Sequence, residues 1–488
     1  MQTSIPASQP EFRRKWHVMA TVSMGTFLGT IDSSIVNIAL PTLVKEYATN
    51  FSTVQWVVLI YLLTVTTLML SVGRLADMLG KKYIYLAGFG IFTLGSALCG
   101  LAPGIYWLIG FRVLQAVGAV MVVALGMAIV TEAFPAQERG KALGINGAVV
   151  SLGIVLGPTL GGILIQSLSW HWIFFVNLPV GLVGMWMVWR NVPATQPAGG
   201  QHFDFWGALT LFVSMSAFLL ALTAGQNYGF GDWRVAGLFI IWAVFLALFV
   251  RIEIHANQPM IDLSLFRNVL FRINLITGLL SFIVIAGTIL IMPFYLENIL
   301  GYPTSQAGLL MGVLPVALGL TAPVSGVLSD RHGTRLITMV GLMILVIGYL
   351  AMSTLTQTST SLEFALRILP IGLGMGIFQS PNNSAIMGSA PRERLGVVSG
   401  MLAISRTLGQ TTGIAILGAI WAARVFASAG GVVSGGATAA PPAAQVAGLQ
   451  ETFLIMVGMI AVAMVLAVWA YLAERRNRAL KVVATDLP

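Results

Sequence analysis

One aspartate, Asp32, stands inside "GTIDSSIVNIALP" (29–41), and one arginine, Arg112, inside "LIGFRVLQAVGAV" (108–120); both stretches are otherwise apolar or uncharged. An aspartate at the centre of a bilayer helix costs about 2.5–3.5 kcal/mol on insertion scales. Ionisable groups kept at such depth mark functional sites and come with partners. At 1.5 Å per residue, Asp32 lies about 16 Å and Arg112 about 10 Å from the same face of the membrane. Those depths let the two meet. A carboxylate held between an arginine, which favours its charge, and a dry setting, which opposes it, can take a proton from one side and release it to the other. The alternative is a permanent ion pair that ties the first apolar run to the fourth.

Other polar side chains in apolar runs are Asn37, Gln115, Asn146, Gln379, Asn382, Asn383 and Gln410. They could line a central cavity, or each could be an interhelical hydrogen bond worth about 0.6 kcal/mol. Arg406 is expected to snorkel to the nearer interface. Gly153, Gly157 and Gly161 repeat at four-residue steps, which lets backbones approach closely, and Pro158 frees a carbonyl and bends its helix. "GRLADMLGKK" (73–82) joins two runs: Gly73 and Gly80 permit a tight turn, and Asp77 lies near the start of the next helix, where the dipole favours an anion. Arg139, after the fourth run, could pair with Asp77 as a gate latch. The bland reading is a turn with topology charges.

Several chemistries are missing. There is no G-x-x-x-x-G-K-[ST] phosphate loop, the five histidines have no metal-ligand spacing, and the single cysteine, Cys99, excludes an internal disulfide. No nucleophile lies beside a base, and no second carboxylate lies at the depth of Asp32, since Glu297, Glu363 and Glu132 fall near run ends. The chain is read as no enzyme, with no metal and no cofactor beyond a coupling proton. One deep carboxylate favours lipophilic monocations or near-neutral amphiphiles over multivalent cations.

These residues need a scaffold, and composition names it. The chain is 57% hydrophobic and 9% charged, with a mean hydropathy of +0.88; a soluble domain is about 25% charged. About fourteen runs are long enough to span a bilayer, from 17–42 to 452–472. Twenty of the 26 cations fall in alternate loops and the two ends. By the positive-inside rule both termini are cytoplasmic. The net charge of +9 therefore reports topology, not nucleic-acid binding. Residues 427–448, "ASAGGVVSGGATAAPPAAQVAG", read as a mobile outer loop without chemistry.

"GRLADMLGKK" also recurs as "GVLSDRHGTR" (326–335), 253 residues later, bringing Asp330, Arg331 and Arg335 into the places of Asp77, Met78 and Lys82, with Lys81 in the first copy. Gly140, Gly144, Gly153 and Gly157 recur as Gly396, Gly400, Gly409 and Gly413, 256 residues later. Two matches at nearly one offset indicate a duplicated helical half. The expected fold is an all-α polytopic membrane protein: a six-helix bundle (1–190), a linker with two inserted helices (191–260), and a second six-helix bundle (261–488).

In these motifs the chain resembles the major facilitator superfamily, specifically its fourteen-helix drug:proton antiporters. "GRLADMLGKK" is similar to that family's loop motif and "LIGFRVLQAVGAV" to its fourth-helix motif. "GIVLGPTLGG" (153–162) is similar to the fifth-helix antiporter motif, "DSSIVNIALP" (32–41) to the first-helix motif, and "WHWIFFVNLPVG" (170–181) to a segment typical of that branch. Met78 departs from the usual arginine and weakens the expected lock; Ala116 replaces a glycine. The resemblance implies the major facilitator fold and alternating access, with Asp32 and Arg112 as the coupling pair. It implies a cytoplasmic gate of Gly73, Asp77, Gly80, Lys81, Arg139, Asp330, Arg331 and Arg335, and an antiporter helix carrying Gly153, Gly157, Pro158, Gly161 and Gly162. The implied function is proton-coupled export of lipophilic, cationic or amphiphilic toxic compounds across a bacterial inner or plasma membrane. The expected unit is a monomer in contact with lipid, with an envelope-spanning adaptor as a further partner. The alternatives are export or flipping of a lipid or amphiphilic metabolite, and a non-transporting receptor or scaffold.

Overall fold

The computed structural model describes residues 15–135, 138–194, 204–255, 266–389 and 395–485. Among them are fourteen helices long and apolar enough to cross a membrane, as the sequence predicts. The first six are α1 (Lys15–Glu46), α2 (Trp56–Leu79), α3 (Lys81–Gly100), α4 (Ile105–Ala133), α5 (Arg139–Ser167) and α6 (Asn177–Asn191). An intervening pair follows, α7 (Phe205–Tyr228) and α8 (Trp233–His255). The last six are α9 (Val269–Phe294), α10 (Val313–His332), α11 (Thr334–Met352), α12 (Ser361–Gly388), α13 (Leu395–Ser428) and α14 (Pro442–Thr485). Helices alone satisfy every backbone group within their own segment, which is what a hydrocarbon environment requires.

The duplication is visible in the packing. In the first half α1 lies on α5 while α2 and α3 lie on α4; in the second, α9 lies on α13 while α10 and α11 lie on α12. Gly80 and Gly333, 253 residues apart, both end a helix with positive φ (94° and 87°), a conformation in which a Cβ is strained. α8 packs chiefly on α7, and α7 in turn touches α2 and α13.

Several spans are interrupted. Gln55 separates a short turn, Phe51–Val54, from α2, and Gly312 separates Thr304–Met311 from α10. A π-helical turn, Tyr295–Ile299, extends α9. The region expected to be a mobile outer loop is partly built into the protein. A 3₁₀ turn spans Ala437–Ala439, Ala437 and Ala440 are buried, and Gln445 Nε2 donates to the carbonyls of Thr438 and Ala440. α14 accordingly starts at Pro442, ten residues before the predicted boundary.

The halves touch at the cation-poor end of the bundle. Phe51 meets Phe294 at 5.1 Å and Trp421 at 4.8 Å between ring centroids, and Gln166 Oε1 accepts from the Ser305 backbone N–H at 3.1 Å. At the cation-rich end, polar groups bond within their own half: Lys15 to Glu138 at 2.6 Å, Arg335 to Asn274 at 2.5 Å, Asn268 to the Ser389 carbonyl at 3.4 Å.

Candidate functional site

Asp32 and Arg112 meet. Arg112 Nη1 donates to Asp32 Oδ2 at 2.7 Å, and both side chains are fully buried. The depths read from the two runs were sufficient because α1 and α4 pack directly on each other. Arg112 Nε donates to the Val57 carbonyl at 3.0 Å, and the Tyr61 ring lies 4.1 Å from the guanidinium carbon, so α2 also holds the cation.

Asp32 has more partners than the sequence indicated. Gln115 Nε2 donates to Asp32 Oδ1 at 2.7 Å and to Ser96 Oγ at 2.7 Å. Asn177 Nδ2 donates to the same Oδ1 at 2.9 Å. Gln115 Oε1 accepts from Arg112 Nη1 at 2.6 Å and lies 3.7 Å from the Cys99 thiol. The carboxylate thus faces three N–H donors from α4 and α6. Gly95 permits the arrangement: a Cβ there would overlap the Gln115 backbone, so α3 can bring Ser96 against α4 only without one.

Gln115, expected to line a substrate cavity, is instead fully buried in this network. Asn382 is likewise taken up within its own half: its Nδ2 donates to the Asn274 carbonyl at 3.1 Å and its Oδ1 accepts from Thr277 at 3.4 Å. Asn146 joins α5 to α1 by accepting from Thr26 at 2.8 Å. Asn37 Nδ2 donates to the Ser33 carbonyl at 2.9 Å, while its buried Oδ1 has no hydrogen-bond partner among the described residues. Gln379, Asn383 and Gln410 keep partial exposure. Ser96, Tyr61 and Asn177 were missed. Asn177 carried a signal, as an amide in the apolar stretch "WIFFVNLPVG"; nothing marked the serine or the tyrosine.

The glycines of α5 do two things. Gly153, Gly157 and Gly161 press on Thr30, Ser34, Ile35 and Ile38 of α1, so a Cβ at any of them would overlap the helix that carries Asp32. Gly162 presses on Thr304 and Ser305 of the second half, and the Pro158 carbonyl lies against Gly308. α5 therefore links the cation-poor closure to the helix bearing the carboxylate.

At the predicted gate, the side chains of Asp77, Arg139 and Asp330 lie outside the described residues. Lys81 pairs with Glu132 of α4, and Lys82 Nζ donates to the Trp189 carbonyl at 2.9 Å, so the turn is anchored inside the first half. Gly73 has open space around it, and Arg331 is exposed. Glu253 is a second buried acid, but it lies two residues from the end of α8.

At the cation-poor rim, Tyr47 donates to the Ala102 carbonyl at 2.8 Å. Burial, with Glu46 beside it, pushes its phenol up to about 12. The neighbouring His171 stacks on Trp170 at 3.9 Å, and burial holds its imidazole below the ordinary histidine value.

Comparison with known proteins agrees with this architecture. The profile of the Major Facilitator Superfamily matches residues 22–414. The chain is 36% identical over 411 residues to the riboflavin transporter RibZ of Clostridioides difficile, covering 84% of this chain and 89% of that protein. It is 33% identical over 399 residues to the multidrug transporter MdtP of Bacillus subtilis, covering 82% and 74%. It is 34% identical over 416 residues to the multidrug resistance protein Stp of Mycobacterium tuberculosis H37Rv, covering 84% and 76%. Among solved structures, a bacterial homolog of the human lysosomal transporter Spinster, inward-facing and unoccupied, superposes with a TM-score of 0.66 at 18% identity, covering 95% of this chain and 98% of that one. The chain is a many-span membrane transporter and not an enzyme, and it belongs to the Major Facilitator Superfamily.

Proposed function

We propose that the protein is a proton-coupled exporter of lipophilic, amphiphilic compounds, with Asp32 as the group that carries the proton. The observation that carries this reading is a fully buried carboxylate whose only charged partner in the network is Arg112, held by amides from α4 and α6. A buried pair that served packing alone would be weak for the purpose, since apolar side chains of similar volume stabilise as well or better. The cation-rich end faces the cytoplasm, so a bundle closed at its cation-poor end is open inward. Re-closing the cytoplasmic end would move α5, and with it α1, which changes the packing around Asp32. Several relatives are named as multidrug transporters, which supports export across the plasma membrane.

The test uses purified protein in liposomes with a pH dye inside and a panel of lipophilic cations and amphiphiles outside. Substrate-dependent proton movement in the wild type, lost in Asp32→Asn, is the expected result. Equal movement in both would make Asp32 a structural partner of Arg112. The riboflavin transporter among the relatives supports a second reading, transport of a polar heterocycle; riboflavin in the same liposomes tests it.

A further inference from the structure

The two arginines inside the membrane have opposite surroundings. Arg112 is sealed against a carboxylate, an amide and a carbonyl. Arg406 lies on α13, eleven residues from the start of that helix and six residues, about 9 Å, inside its membrane-spanning stretch, which begins at Gly400. Among the described residues it has no hydrogen-bond or ion-pair partner, and it keeps partial exposure. Gln410, one turn further on, is likewise partly exposed and unpartnered.

Where this pair points follows from its helix. Arg406, Gln410, Leu417 and Trp421 share one face by their spacing. Leu417 fills the space left by Gly287 of α9, and Trp421 packs on Phe51 of the other half. The face that seals the two halves at the cation-poor end therefore continues downward as Arg406 and Gln410. Gly413, seven residues after Arg406 and so on nearly the same face, presses on Ile283 of α9, and Gly409 beside it presses on Leu279 and Phe282, so Arg406 and Gln410 border the α9 contact. A guanidinium stays charged at any accessible pH, and away from bulk water it favours an anion that its planar fork can grip with two hydrogen bonds.

We propose that Arg406, with Gln410, is an anion subsite in the cleft between the halves, and that the cargo carries an acidic group beside its apolar body. This rests on the exporter reading and narrows its substrate class. The Asp32–Arg112 pair cancels its own charge behind buried side chains, which leaves Arg406 as the cation that a cargo meets.

The test is equilibrium binding to the full chain in phosphatidylcholine nanodiscs at neutral pH. The probes are 11-(dansylamino)undecanoic acid and its methyl ester, read by energy transfer from tryptophan. The wild type is expected to bind the acid at least about tenfold more tightly than the ester. R406Q should erase that preference by weakening the acid more than the ester, and R406K should keep part of it. Equal affinities in the wild type, no binding of the acid, or an R406Q loss shared equally by acid and ester would each overturn the proposal. The same pair of probes on Asp32→Asn separates the two readings. Acid preference with proton flux intact in that variant sinks proton coupling through Asp32 alone, and coupled flux without acid preference sinks the anion subsite alone.

Discussion

The two halves are built alike and charged differently. In both, glycines on the fifth helix of the half press on its first helix, Gly153 and Gly157 on α1 and Gly409 and Gly413 on α9. In both, a glycine with positive φ turns the chain after the second helix. Yet the first half encloses Asp32, Arg112, Gln115 and Asn177, while the corresponding stretch of α9 holds buried Val284, Ile285 and Leu290 with Thr288 bonded to its own helix. Features that serve packing and turning survive in both copies. Among the described residues, a fully buried carboxylate–arginine pair is found in the first half alone.

Breaking that asymmetry should have the largest effect. Arg112→Ala leaves Asp32 buried without its charge partner and should cost about 3–5 kcal/mol, read as a fall in Tm of the purified protein. Arg367→Ala, at a half-exposed pair with Glu363 in the second half, should cost less than about 1 kcal/mol; comparable losses would erase the distinction between the halves. Asn177→Ala removes a donor from the carboxylate and should cost about 1–3 kcal/mol, with coupled flux reduced in the liposome assay. An unchanged flux would take Asn177 out of the coupling site.

The shared features give matched predictions. Gly157→Val and Gly413→Val each force a side chain into a neighbouring helix, against Ser34 and the Ile283 carbonyl, and each should destabilise by about 1–3 kcal/mol. Gly80→Ala and Gly333→Ala place a Cβ in left-handed backbone and should each cost about 1–2 kcal/mol. A large difference within either pair of Tm values would show that the copies have diverged in packing as well as charge.

The smallest effect belongs to the rim. Burial depresses the His171 imidazole below about 6.5, so the folded protein binds fewer protons there than the unfolded chain. The stabilising term is fully present above that value and is lost as pH falls through the lower folded value. His171→Gln should remove this acid sensitivity, seen as a smaller fall in Tm than the wild type shows between neutral and mildly acidic pH.

Much of the architecture was legible before any coordinates. The fourteen spans follow from hydropathy. Depth allowed Asp32 to meet Arg112, and the packing of α1 on α4 brings them to 2.7 Å. Gln115 was read as cavity lining, although its place three residues after Arg112 puts it on the same helical face and near the same carboxylate. Residues 427–448 were read as loose because small residues and prolines carry no periodic signal, while in the structure Gly436 lies against Asn50 of the other half.

What the sequence determined by itself are properties of single segments: which runs can enter lipid, how many there are, and which charges are too costly to leave unpartnered. Each is a local balance between hydrocarbon and water, so composition within a window suffices. The tertiary structure decided which polar groups share a site and which stand alone. Asn177 reaches Asp32 across 145 positions, and Arg406 finds no partner among the described residues, because helix rotation, tilt and glycine-permitted approach set those distances. Such quantities depend on all neighbours at once, and no single stretch of chain encodes them.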